Sequence, residues 1–200
     1  MKVEISRVLE KMAGSMNIGL TKMTPPFDGI GNFDYGLRRA LDAEFDWPGF
    51  GQSLLDQVPE KTLVFAQGVF ELRFALFLAP DEPETLYCFG PWADGPQSRE
   101  SLDWCATYLD EKAQKVVEEY HNRVRQMDDN AIKTTLFAVI SLLFPEGELK
   151  TAEWREVMPL RFRPSLESFR GKSFSEELPP ELIAERYAAG NRVVGGGGKG

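Results

Sequence analysis

Three apolar, aromatic-rich runs follow one another between Lys61 and Trp92: Thr62 to Gln67, Glu71 to Ala79, and Thr85 to Phe89. They stand too close together for helical crossovers, so strands there must pair antiparallel. In the second run Leu72, Phe74, Leu76 and Leu78 share one face by period two, and Arg73, Ala75, Phe77 and Ala79 share the other. The first face is uniformly large and apolar. The second is small apart from Phe77 and one charge. Asp81-Glu82-Pro83-Glu84 supplies a turn between the second and third runs. The third run is expected to stop at Gly90-Pro91-Trp92.

The flanking sequence has helical rather than strand periodicity. Ile5, Val8, Leu9 and Met12 share a helix face, with Gly14 placed to close it. Pro25-Pro26, Gly29 and Gly31 predict a loop over residues 17–32. Helical spacing resumes through Leu37, Ala40, Leu41 and Phe45, and again after Pro48, which suits a first helical position. Beyond the sheet, Ser98 is a candidate N-cap, and a further helix is expected from Glu111 to Met127. Asp128 or Asp129 can cap the next one, whose face holds Ile132, Leu136, Val139, Ile140 and Leu143. A last strand is expected at residues 157–162, confined to an edge by Pro159. Residues 1–164 therefore read as one domain. Residues 165–200 read as a linker, a short helix and a flexible Gly195–Gly198 tail.

A chain of 200 residues with 42% hydrophobic content can bury a substantial core. Its net charge of -8 disfavours nucleic-acid binding by the chain itself, because phosphate contact needs clustered Lys and Arg. The first residues lack the apolar core of a signal peptide, and no run is long enough to span a membrane. The sequence thus predicts a cytoplasmic protein. Cys88 and Cys105 fall on apolar faces and read as buried, reduced thiols.

Catalytic signals are sparse. His121 is the single histidine and has no ligand-spaced Cys or His beside it, so neither a metal nor a cofactor is expected. No Gly-x-Ser-x-Gly elbow exists to make a hydrolase triad with it. Gly29-Ile-Gly31 lacks the preceding strand and third glycine of a dinucleotide loop. Glu118-Glu119 and Asp128-Asp129 are adjacent on helices, so they do not face one another, and they read as solvated or capping groups. The sequence points away from an enzyme.

Arg73 stands out as a lone cation inside an apolar strand. Either its face is open to solvent or capped by Glu71, or it anchors a polar or anionic ligand over the sheet. Aromatics gather around the same strands. Tyr87 and Trp92 each bring a polar tip, so with Arg73 and Phe77 they form the candidate ligand-binding set on the small-residue face.

The order of segments resembles the N-terminal sensing region of AraC-type transcriptional regulators from Gram-positive (clostridial) bacteria. The resemblance rests on Phe33-Asp34-Tyr35-Gly36-Leu37-Arg38, Phe70 to Phe74 with Phe77, Phe89-Gly90-Pro91-Trp92, and Glu119-Tyr120-His121-Asn122 before the helix Ile132 to Phe144. Glu185 to Asn191 resembles the connector that precedes the DNA-binding domain. Gly68 and Gly190 depart from the acidic residues usual in that family. The resemblance implies an α+β, PAS/GAF-like sensor that binds a small-molecule effector and forms a homodimer. It implies DNA contact only through a helix-turn-helix domain, which this sequence does not include. A ligand-free interaction or dimerisation module is the alternative, and a small enzyme comes after it.

Overall fold

The run Arg73–Ala79 forms the central strand of a mixed sheet with helices on both faces. The structure is a computed structural model and describes residues 5–28, 30–41, 45–68, 70–145 and 147–155. Six strands are present among these: β1 (Leu20–Met23), β2 (Thr62–Gln67), β3 (Arg73–Ala79), β4 (Glu82–Ala93), β5 (Arg125–Gln126) and β6 (Lys150–Arg155). The helices are α1 (Ile5–Met16), α2 (Leu37–Leu41), α3 (Trp47–Gln57), α4 (Arg99–Tyr108), α5 (Glu111–Arg123) and α6 (Asp129–Ser141), with a 3-10 turn at Ile30–Asn32.

The strands run in the order β1-β4-β3-β2-β6, with β5 paired in parallel beside the end of β4. The expected antiparallel pairing of the three central runs is present. The sheet is nevertheless not wholly antiparallel, because β6 joins β2 in parallel. A parallel neighbour needs a long crossover, and α4, α5 and α6 supply it. This strand lies at Lys150–Arg155, where no strand is expected from the sequence. The strand expected at 157–162, the helix near Tyr187 and the boundary at 164 lie outside the described residues.

Several local expectations change. β1 occupies part of the predicted loop and pairs with β4, Leu20 opposite Phe89 and Met23 opposite Leu86. α1 continues through Gly14 to Met16. The turn between β3 and β4 tightens to Pro80-Asp81, since Ala79 already pairs with Glu82. α2 covers Leu37–Leu41, so helix begins after Phe33 in the segment expected to be helical, and residues 42–44 lie outside the described residues. Pro48 takes the second helical position, behind an Asp46 cap that accepts from the Gly49 amide. Ser98 and Asp128 cap α4 and α6 as their side chains predict.

β4 does not stop at Gly90-Pro91-Trp92 but runs through it. Ala75 pairs with Phe89 and Arg73 with Trp92, so β4 carries one extra residue across that interval. This is a bulge, and it resets the alternation so that Trp92 shares a face with Phe89. Gly90 is required there: its φ is +125°, and an added Cβ would sit 2.7 Å from the Arg73 carbonyl oxygen.

The two sheet faces bury two separate cores. Phe74, Leu76, Leu78, Leu86 and Cys88 pack against Phe33, Leu37, Phe50, Leu54, Cys105 and Val117 from α2 to α5 and the preceding loop. Phe33 stacks on Phe74 at 4.6 Å between ring centroids. Ala75, Phe77, Ala79, Tyr87, Phe89 and Trp92 pack against Leu9, Met12 and Ala13 of α1 and Ile132, Leu136 and Ile140 of α6. The result is a mixed α/β fold of three layers, with a small sheet flanked by helices. No helix among the described residues is long and apolar enough to cross a membrane.

Candidate functional site

Arg73 starts β3 at the sheet end where β4 finishes and α6 begins. Its guanidinium lies 2.6 Å from an Asp129 carboxylate oxygen and 3.4 Å from Asp94. The expected partner Glu71 does something else: its carboxylate accepts from the Ser98 amide at the start of α4. Asp129 also receives the Trp92 indole N–H at 3.3 Å and the Lys133 ammonium at 2.8 Å. Lys133 continues to Glu153 on β6 at 2.9 Å and lies over the Phe65 ring. Burial works to lower the Lys133 pKa, but the hydrogen bonds to Asp129 and Glu153 outweigh it and the net shift is upward.

These groups form one charged hub joining β3, β4, α6 and β6. The cavity among them measures about 20 Å³, room for roughly one water and no more. Arg73 is therefore already neutralised, and an anionic ligand there would have to displace Asp129.

The other expected ligand residues are buried in this fold. Trp92 belongs to the hub and is fully buried. Phe77 and Tyr87 face each other across β3 and β4 with their rings 5.6 Å apart. Phe144 packs edge-on against Phe77, and the Tyr87 hydroxyl bonds Ser6 of α1 at 2.7 Å. Among the described residues, α1 and α6 pack against the small-residue face.

Asp129 is the residue that sequence reasoning missed. It was expected to be a solvated or capping group, yet it is buried and binds three side chains. The one local hint was its i,i+4 spacing to Lys133.

His121 is buried on α5. Burial pushes its imidazole below the ordinary range, against the opposing pull of Glu71. The unfolded chain therefore takes up a proton near pH of about 6.5 that the folded chain resists. Stability from this group is present above that pH and lost as pH falls through it. His121→Gln is expected to flatten the decline in urea midpoint between about pH 7 and 5. Equal slopes in both proteins would show that His121 is not responsible. The Cys88 thiol is likewise pushed well up by burial, so it is not a nucleophile at neutral pH.

A larger opening lies at the opposite end of the sheet, about 20 Å from Arg73 at the rise of a seven-residue strand. The end of β3, the Pro80-Asp81 turn, the residues before β2 and the C-terminal end of α6 surround a groove of about 710 Å³. Leu78, Ala79, Pro80, Leu142, Leu143, Phe144 and Pro145 make its apolar lining. Glu60, Lys61, Asp81 and Glu148 supply the polar groups, with Lys61 and Glu148 paired at 2.9 Å.

No protein-family model, curated protein or solved structure matched the chain. The groove must therefore be read from its own chemistry. Its size falls within the ~300–1,000 Å³ typical of small-molecule sites, and it combines an apolar floor with a charged rim. Among the described residues no group of His, Cys, Asp and Glu is placed to hold a metal ion.

Proposed function

We propose that this chain is a small-molecule-sensing regulatory domain, of the PAS/GAF-like kind and without catalytic activity, belonging to an AraC-type transcriptional regulator. The effector site is the groove rather than the Arg73 face. The observation that supports this reading is the ligand-sized apolar groove built on the end of α6. DNA contact would fall to a separate helix-turn-helix domain, and dimerisation to a helix face.

The same helix suggests how occupancy is transmitted. α6 has thirteen residues, so it spans about 20 Å from hub to groove. Its N-terminal turn holds Asp129 and Lys133, and Lys133 grips β6 through Glu153. A ligand against Leu142 and Leu143 biases the seating of α6 on the sheet, and the hub passes that bias to β6. The effect is a population shift between two packings of one helix.

Interaction through a single apolar patch has less support. Among the described residues the exposed large apolar side chains are Tyr35, Leu102, Phe137 and Leu142, spread over three regions of the fold.

The test is a thermal-shift screen of sugars and metabolites followed by titration calorimetry. An effector at about 100 times its Kd should stabilise the protein by about 2.7 kcal/mol. Leu142→Trp should abolish that shift, and because Leu142 is 81% exposed the substitution leaves the core untouched. A screen without a binder, or a binder indifferent to Leu142→Trp, would overturn the reading.

A further inference from the structure

The groove's charge selects among ligands, and this deepens the function proposed above while resting on it. Among the described residues four ionisable groups line it: the carboxylates of Glu60, Asp81 and Glu148, and the Lys61 ammonium. Lys61 is paired with Glu148. No carboxylate–cation pair is formed by Glu60 or Asp81 among the described residues, and both are exposed at the rim. Among the described residues, the lining therefore carries two net negative charges around an apolar floor.

We infer that the groove binds a small organic cation: a protonated amine or guanidinium carried on an apolar or aromatic body. The body would lie on Leu142, Phe144 and Ala79, and the cationic head would reach Asp81 and Glu60. Two features favour this occupant over an anion of the same shape. Among the described residues, an anion would meet the Glu60 and Asp81 carboxylates, while the Lys61 ammonium is already paired with Glu148. The net charge of -8 on the whole chain acts in the same direction at longer range.

Three probes of one shape separate the possibilities: 4-phenylbutylamine, 4-phenylbutan-1-ol and 4-phenylbutyrate, each titrated into the full chain by calorimetry. The amine is expected to bind about 5- to 20-fold more tightly than the alcohol, since each rim charge contributes only the modest gain of an exposed ion pair. The carboxylate should bind least well, and raising the salt should narrow the gap. The double substitution Glu60→Gln with Asp81→Asn should bring the amine down to the alcohol without changing the alcohol. Both positions are exposed, so folding is retained.

A carboxylate that binds as well as the amine, or a preference that survives the double substitution, would overturn the charge inference. If the alcohol still binds and Leu142→Trp still displaces it, the groove itself stands as a ligand site. Failure of all three probes overturns the cation inference, and the wider screen then decides the sensing reading separately.

Discussion

Arg38→Leu should lower unfolding stability by about 3–5 kcal/mol, the range expected when one partner of a buried ion pair is removed. Arg38 and Asp34 lie one helical turn apart, pair directly through Nη1 and Oδ2, and are both almost wholly inaccessible to solvent. The guanidinium also sits over the Phe33 and Phe50 rings at 5.3 and 5.1 Å. Leucine would replace some of that packing but would leave the Asp34 carboxylate in an apolar core. One of its oxygens, Oδ1, already lacks a hydrogen-bond partner among the described residues.

A second variant isolates the cause. Asp34→Asn combined with Arg38→Met removes both charges. An asparagine oxygen can still accept from the residue 38 amide, as Asp34 does at 3.2 Å. Because a buried pair contributes little net stability over apolar groups of similar volume, the double variant should recover to within about 1–2 kcal/mol of the parent. Urea titration of the three proteins measures this. A double variant no better than Arg38→Leu would mean that Arg38 acts by shape rather than charge.

That pair also shows what the sequence could and could not disclose. Phe33 to Arg38 was legible as a distinct segment, yet nothing in it says that Asp34 and Arg38 are buried. The Arg38 guanidinium lies over Phe50 of α3, and the neighbouring Phe33 stacks on Phe74 of β3, contacts that join distant positions. The central strands were legible because period two is a local property, and both faces of β3 appear as the pattern implies. Two caps were legible for the same reason, since the Ser98 and Asp128 side chains bond amides three residues away.

Edge strands were less legible. β1 has only Leu20 to Met23 to declare itself and lies between Gly19 and the Pro25-Pro26 pair, which read as loop. β6 reads Lys-Thr-Ala-Glu-Trp-Arg, a polar string that becomes a strand by pairing with β2 over six positions. The small residues of β3 suggested room for a ligand, but a small side chain lets a helix approach as readily as a molecule. Here α1 and α6 pack against that face. The groove was not foreseen because its walls come from four separate segments, residues 60–61, 78–83, 142–145 and 148.

The second large effect belongs to the hub. Asp129→Ala should cost about 2–4 kcal/mol, because it leaves the Arg73 and Lys133 charges part-buried beside an unpaired Trp92 indole N–H. For a chain of this size that corresponds to a fall in Tm of roughly 5–15 °C. Asp94→Ala is the control: Asp94 is 3.4 Å from Arg73 and 41% exposed, so its loss should cost less than about 1 kcal/mol. The pattern of loosening separates a coupling hub from a merely stabilising one. Without Asp129, Lys133 still links α6 to Glu153, but its ammonium loses the carboxylate that holds it in place, so the α6–β6 link is weakened. Amide hydrogen exchange at Lys150–Arg155 should then accelerate more than at the centre of β3, which stays paired on both sides. Uniform acceleration across both strands would mean that Asp129 supports the whole fold alike, and the route from groove through α6 to β6 would lose its last link.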